Sequence, residues 1–454
     1  MTVRLIHPWT GEIDYTYDYV GEPEVERILK AAAQAAPAWA ARSLDERGGL
    51  IRAIAARLRE QRDAIAAVMT ADMGKLRREA LVEIEKSASA CEYYADHAID
   101  YLRDGMIATE AHRSYVTYEP LGCIFAVMPW NFPVWQVFRF LAPGLMAGNV
   151  AVLKHATNVP RCADAIADVL RDAGIPDGVF GVLHIDNAMA ERVIADPRVK
   201  AVTLTGSERA GSAVASAAGK HLKKCVMELG GSDPFVVLDD ADLDTTIPAA
   251  VASRFGNAGQ TCIAAKRFIV TPGIADAFVA RFVEAAGKLA VGDPDLDATT
   301  LAPMARADLR DEVHDQVQRS VAAGAKLLLG GVPGQGGSHY PATILDHVSS
   351  GMPAYHEELF GPAASILRAR DDDDAVRIAN DTDFGLGASV WTRDKARGEA
   401  VARRLQAGAT FVNAIVRSDV RLPFGGTKNS GFGRELAEHG IHEFMNIKTV
   451  YVAG

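Results

Sequence analysis

Alanine, leucine and arginine recur at helical spacing through residues 24–69 and again through 76–102, which predicts long amphipathic helices that cover one side of a sheet. From Gly122 onward the pattern changes. Short aliphatic runs alternate with helical segments through 124–128, 135–146, 151–154, 161–173, 178–184, 199–205 and 210–222. This alternation predicts parallel strands joined by right-handed crossovers, with helices on both faces. After Glu228 it starts again through 235–238, 267–270, 275–289, 325–329, 364–367 and 388–391, so a second α/β unit is expected. Loops rich in glycine and proline at 292–303 and 330–338 separate these segments, and no internal repeat is present.

A chain of 454 residues exceeds the size at which one core keeps growing, so more than one domain is expected. The formal net charge is −10 with basic residues scattered, which argues against a nucleic-acid footprint or attraction to an anionic membrane. No apolar run approaches the roughly 18 residues of a membrane span, and residues 1–20 carry no charged-then-apolar leader, so a cytoplasmic protein is expected. Five cysteines at irregular spacing suit neither a disulfide framework nor a zinc site and point to a reducing compartment. Cys91, Cys123, Cys162 and Cys225 read as small buried hydrophobes. The acidic run 371–374 reads as a solvated turn favouring the N-terminus of the next helix, and no metal site is expected.

Cys262 is different. It ends Gly256-Asn257-Ala258-Gly259-Gln260-Thr261-Cys262, where glycines and small polar residues let a substrate and backbone amides approach the sulfur. A nucleophilic cysteine needs a depressed pKa or a base to take its proton. Glu228, in Met227-Glu228-Leu229-Gly230-Gly231, has the apolar flanks that raise a carboxyl pKa toward neutrality. Asn131, bracketed by Pro129 and Pro133 between an apolar run and a helix, is held on a rigid strand-to-helix turn, where its amide can donate to a developing oxyanion. Alternative roles are an ion-paired glutamate and a turn-capping asparagine. The three segments together fit acyl chemistry through a thioester. At Thr205-Gly206-Ser207 a strand gives way to a helix that can aim amides and its dipole at a pyrophosphate, although the three-glycine dinucleotide fingerprint is missing.

These words, with Leu153-Lys154-His155-Ala156, Leu204-Thr205-Gly206-Ser207, Glu358-Leu359-Phe360-Gly361-Pro362 and Pro423-Phe424-Gly425-Gly426 followed by Lys428, Ser430, Gly431 and Gly433, run in order along the chain. The sequence resembles the aldehyde dehydrogenase superfamily and, within it, the succinate semialdehyde dehydrogenases of the short bacterial kind. The resemblance implies two doubly wound α/β domains with a small bridging, oligomer-making β element: an NAD(P)-binding domain at 1–227 with a bridging segment near 110–121, a catalytic domain at 228–425, and a C-terminal return with an oligomerisation strand at 426–454. A homodimer or homotetramer is implied.

The resemblance also places Trp130, Lys154, Gly206, Ser207, Glu358 and Phe360 around NAD or NADP. Lys154 is assigned to the adenosine ribose and Glu358 to the nicotinamide ribose. NAD-selective relatives carry a carboxylate three positions after that lysine. Thr157 stands there, so both cofactors are expected. Arg139 and Ser418 match carboxylate-recognising positions of the succinate semialdehyde enzymes. Gly256 replaces a second arginine, leaving Arg254 or Arg417 as substitutes, and Ala264 replaces a redox-switch cysteine. Succinate semialdehyde is therefore the expected substrate, ahead of other short aliphatic or aromatic aldehydes. A catalytically silent binding protein on this fold is the remaining alternative, opposed by the retained Cys262, Glu228 and Asn131.

Overall fold

The computed structural model describes residues 2–454. Its first sheet has six strands in the order Gly431–Phe432, Lys224–Glu228, Val199–Thr205, Cys123–Met128, Val150–His155 and Phe180–Val182. All neighbours are parallel except the first pair. Helices Trp135–Met146, Pro160–Asp172, Asn187–Ala195 and Glu208–Lys220 lie between successive strands in the chain. Val150–His155 is buried along its whole length, as expected of a parallel strand covered on both faces.

The N-terminal region forms the helices Glu22–Ala40, Leu44–Glu60, Arg62–Met73 and Arg77–Tyr101. Their apolar stripes share one core with the first sheet: Trp39, Ile51, Met69 and Tyr94 pack in the same cluster as Phe125 and Phe138. The periodicity over 24–69 is divided into three helices by a break at Gln61 and, before it, by Ser43, which starts a new helix. Its side chain accepts from the Glu46 N–H while the Glu46 carboxylate accepts from the Ser43 N–H, a reciprocal cap that ends the preceding run.

The second sheet has seven strands in the order Lys326–Leu329, Thr343–Asp346, Ala363–Arg368, Ala265–Val270, Asp233–Val237, Gly387–Trp391 and Ala409–Val412. Six run parallel. Lys326–Leu329 is an antiparallel edge, a departure from the all-parallel expectation. Its connection to Thr343–Asp346 carries no crossover helix, so the chain turns back on itself.

The chain passes from the first sheet to the second between Glu228 and Asp233. It returns when Gly431–Phe432 pairs beside Lys224–Glu228 and Phe424, Leu436, Ile441 and Phe444 join the first core. A separate antiparallel sheet, Met445–Val452 on Arg113–Pro120 on Gly105–Met106, aligns Met445 with Pro120 and Val452 with Arg113. No helix among the described residues is long and apolar enough to cross a membrane.

Candidate active site

Strand order places the chemistry. Lys224–Glu228, Cys123–Met128, Val150–His155 and Val199–Thr205 are parallel neighbours, so the segments that follow them, with Glu228, Asn131, Lys154 and Gly206, gather at one carboxyl edge, where ligands bind in open α/β sheets. The loop carrying Cys262 comes from the other unit, immediately before Ala265–Val270.

That loop is held in an unusual backbone. Asn257 and Ala258 both have φ of +53°, a left-handed conformation that costs non-glycine residues energy and persists only where the surroundings enforce it. Arg254 does so from beneath. Its guanidinium is fully buried and donates to the carbonyls of Gly259 at 2.6 Å, Gly361 at 2.8 Å and Ala265 at 3.2 Å. A Cβ at Gly259 would stand 2.3 Å from the Gly361 carbonyl oxygen and 2.4 Å from Arg254 Nη2, so only glycine fits. Lys266 fixes the other end: Nζ donates to the carbonyls of Thr261 at 2.9 Å and Cys262 at 2.6 Å, and lies 3.0 Å from Glu358 Oε1. Arg254 was expected as a possible carboxylate ligand. The structure corrects this, because its charge is committed to loop carbonyls.

Asn131 is buried against the same loop. Its Nδ2 donates to the Gln260 carbonyl at 3.0 Å, leaving the second amide hydrogen available. The Asn131 carbonyl accepts from Lys75 Nζ at 2.8 Å and Asn257 Nδ2 at 2.9 Å. The turn is secured further by Glu83, which pairs with Lys75 and accepts the N–H groups of Val134 and Trp135 at 2.9 Å each, where a carboxylate is favoured by the helix dipole. His155 Nδ1 accepts the Ala156 N–H at 2.9 Å, so Nε2 carries the proton and donates to the Pro133 carbonyl at 2.9 Å. Burial pushes its pKa down to about 4, consistent with a neutral ring. The supporting roles of Lys75, Glu83 and His155 were missed in the sequence. His155 sits in a recognisable word, but Lys75 lies in the short link before the helix Arg77–Tyr101 and Glu83 on that helix, and neither stretch gives a sign of the turn they support.

Burial pushes the Cys262 thiol up to about 11, against the opposing charges of Arg139 and Lys266. At neutral pH the sulfur therefore needs a proton acceptor. Glu228 is 2 % exposed, and neither carboxyl oxygen has a hydrogen-bond partner among the described residues. A Cβ at Gly425 would come within 2.7 Å of Glu228 Oε1. Burial, then the negative charge of Glu435, raise the Glu228 pKa well above the usual carboxylate range. An unpartnered buried carboxyl with raised pKa is the environment of a general base rather than of a structural ion pair. Its strand is fixed by Gly206 N–H to the Glu228 carbonyl at 3.0 Å and Leu229 N–H to the Ser430 carbonyl at 3.0 Å.

On the opposite side, Lys154 is 6 % exposed, makes no hydrogen bond or ion pair among the described residues, and has its pKa lowered by burial. Because the Gly206 N–H is used on Glu228, and Ser207 Oγ caps its helix by accepting from Ala210 N–H at 3.3 Å, the free amides at this helix end are those of Ser207, Glu208 and Arg209. Glu358 Oε1 accepts the Gly231 N–H at 3.1 Å, and Phe360 meets Trp130 edge to face with centroids 5.8 Å apart. An unpaired ammonium, a helix N-terminus and a carboxylate on one side fit a phosphate-bearing ligand with hydroxyls.

Two residues were expected at the substrate carboxylate. Ser418 lines a cavity of about 540 Å³ with Lys86, Phe132, Trp135 and Arg417. Arg139 does not. It is 2 % exposed, forms an ion pair with Glu435, donates to Thr205 Oγ1 at 3.0 Å and lies over the Phe424 ring at 4.8 Å. The expectation for Arg139 is corrected accordingly: its charge is already neutralised inside the protein.

A model of the aldehyde dehydrogenase family matches residues 1–450. The chain is 48 % identical over 447 residues to the succinate semialdehyde dehydrogenase [NAD(P)+] Sad of Escherichia coli K12, covering 98 % of this chain and 97 % of that protein. It is 47 % identical over 454 residues to a probable succinate-semialdehyde dehydrogenase [NADP(+)] of Synechocystis, with both covered completely. The structure is similar to the Streptococcus pyogenes succinic semialdehyde dehydrogenase solved with NADP+, with a TM-score of 0.97 at 38 % identity over 99 % of this chain and 100 % of that one. Sequence words, sheet order and the placement of cysteine, glutamate and asparagine thus agree with a match along the whole chain, which belongs to the aldehyde dehydrogenase family.

Proposed function

We propose that this enzyme oxidises succinate semialdehyde to succinate with NAD or NADP, through a thioester on Cys262. The observations that support the chemistry are the Asn131 amide bonded to the Cys262 loop and, at the carboxyl edge of the same sheet, a buried Glu228 without a partner among the described residues. Lys154 would hold the adenosine ribose, the helix end at Ser207 the pyrophosphate, and Glu358 the nicotinamide ribose, with Trp130 and Phe360 alongside.

Cys262 loses its proton to solvent and its sulfur adds to the aldehyde carbonyl carbon. The second Asn131 amide hydrogen and the Cys262 N–H stabilise the resulting oxyanion. A nicotinamide cofactor held by Lys154, Ser207 and Glu358 would supply the hydride acceptor; with hydride lost from the tetrahedral carbon, the oxyanion collapses to a thioester carbonyl. Glu228 then takes a proton from water as its oxygen adds to that carbonyl, the C–S bond breaks, and Cys262 leaves as thiolate with the carboxylic acid released. Glu228 favours this hydrolytic outcome over transfer of the acyl group to another thiol.

The substrate assignment is supported by the names of the relatives above and by the cationic wall of the cavity. Growth of reduced-nicotinamide absorbance with succinate semialdehyde, at higher kcat/KM than with butanal and abolished in Cys262→Ser, tests the reading; no reduction with either cofactor would end it. We also infer a homodimer or homotetramer in a reducing, cytoplasmic setting. The edge of Met445–Val452 away from Arg113–Pro120 is unpaired among the described residues, and Ile447 and Tyr451 are exposed there; such an edge invites a partner strand.

A further inference from the structure

The correction at Arg139 leaves the cavity needing another cation for an anionic aldehyde. Lys86, on the helix Arg77–Tyr101, lines that cavity. Its Nζ donates to Ser418 Oγ at 2.6 Å and stands 4.1 Å from the centroid of the Trp135 ring. No carboxylate pairs with it among the described residues. The nearby Glu83 is taken by Lys75 and Asp419 by Arg421. Because Lys86 supplies the hydrogen in its bond to Ser418, the serine hydroxyl keeps its own hydrogen to donate. Gly256, also in the wall, has nothing within 4 Å of where a Cβ would stand, so a four-carbon substrate meets no side chain there.

We propose that Lys86, with Ser418, binds the distal carboxylate of the substrate and thereby sets specificity for an anionic aldehyde; this rests on the succinate semialdehyde reading above. A half-buried, unpaired ammonium is unfavourable, and a carboxylate that accepts hydrogen bonds from both Nζ and the serine hydroxyl relieves it. Trp135 adds a cation–π contact that holds Nζ in place. Burial and then the Arg139 charge push the Lys86 pKa down to about 8, opposed by Glu83, Cys262 and Asp419, in keeping with an ammonium that lacks its anion.

The test compares succinate semialdehyde with butanal, the uncharged aldehyde of equal length, in wild type, Lys86→Met and Lys86→Arg. Loss of a charge-assisted hydrogen bond predicts that Lys86→Met raises KM for succinate semialdehyde by roughly 10- to 100-fold more than it raises KM for butanal, and that Lys86→Arg restores part of the preference. Wild-type preference for succinate semialdehyde that survives in Lys86→Met overturns the role of Lys86 alone. A wild type with no preference overturns the substrate reading and this proposal together. Equal losses on both aldehydes, in a variant whose thermal unfolding matches wild type, also overturn it; if Lys86→Met does not fold, Lys86→Gln supplies the same comparison.

Discussion

Arg139 and Glu435 form an ion pair from which solvent is excluded, with the two residues 2 % and 3 % exposed. The pair acts on the catalytic groups. Glu435 raises the Glu228 pKa, while Arg139 opposes the rise at both Glu228 and Cys262. A residue that resembles a substrate ligand in sequence therefore acts as a fixed internal charge.

Removing Arg139 strands a carboxylate in the protein interior, which typically costs about 3–5 kcal/mol. Arg139→Leu is expected to shift the urea midpoint by a corresponding amount and to reduce kcat/KM equally for charged and uncharged aldehydes. Adding Glu435→Gln should recover much of the stability. A selective KM increase for succinate semialdehyde, with unchanged stability, would return Arg139 to the substrate site.

Glu228 has no hydrogen-bond partner to lose among the described residues, so Glu228→Gln should leave the fold intact. Cofactor reduction in the first turnover is expected to persist as a burst. The steady-state rate should fall by about 10²- to 10⁴-fold, the usual contribution of a positioned general base. Stopped-flow absorbance separates the two, and an unchanged steady state would remove the base from its role.

How much was legible in the sequence depended on what kind of contact defined each feature. The alternating runs from Gly122 onward revealed the parallel sheets because core packing repeats at the period of the backbone. Cys262, Glu228 and Asn131 were legible because glycine and proline neighbours mark turns. Partners far apart in the chain were not: nothing near Arg139 announces Glu435, and the carbonyls that occupy Arg254 come from Gly259, Ala265 and Gly361. Lys86 lies on a helix read only as amphipathic, and its meaning appears once Ser418, 332 residues later, is folded against it. Backbone strain at Asn257 and Ala258 also leaves no compositional trace, since neither residue type demands that conformation.

Thr157 follows Lys154 by three positions, and its carbonyl accepts the Tyr17 hydroxyl at 3.0 Å, which fixes the backbone from which its side chain projects. A carboxylate at this position would repel a ribose phosphate, and like charges brought together cost several kcal/mol. Thr157→Glu is expected to raise KM for NADP by roughly 100-fold with a much smaller change for NAD. Wild type should use both cofactors, and initial rates at saturating aldehyde check both statements. A wild type inactive with NADP would show that threonine is not the permissive feature.

The pH dependence of specificity follows from the lowered pKa of Lys86, about 8 before substrate binds. Below that value the lysine is an ammonium and attracts the distal carboxylate; as pH rises through it the charge, and with it the attraction, is lost. The absolute kcat/KM moves the other way, because the Cys262 thiol, at about 11, yields more thiolate as pH increases. Dividing kcat/KM for succinate semialdehyde by that for butanal cancels the thiol and leaves the lysine. Arg139 is paired with Glu435, Glu83 is held by Lys75 and Asp419 by Arg421, so none of these cancels the trend. The ratio is expected to be level near pH 6–7 and to fall approaching tenfold per pH unit well above 8, the limiting slope for loss of a single proton. In Lys86→Met the ratio should be low and flat. A wild-type ratio that stays level to pH 10 would mean that a permanently charged group, such as Arg417 in the same wall, holds the carboxylate instead.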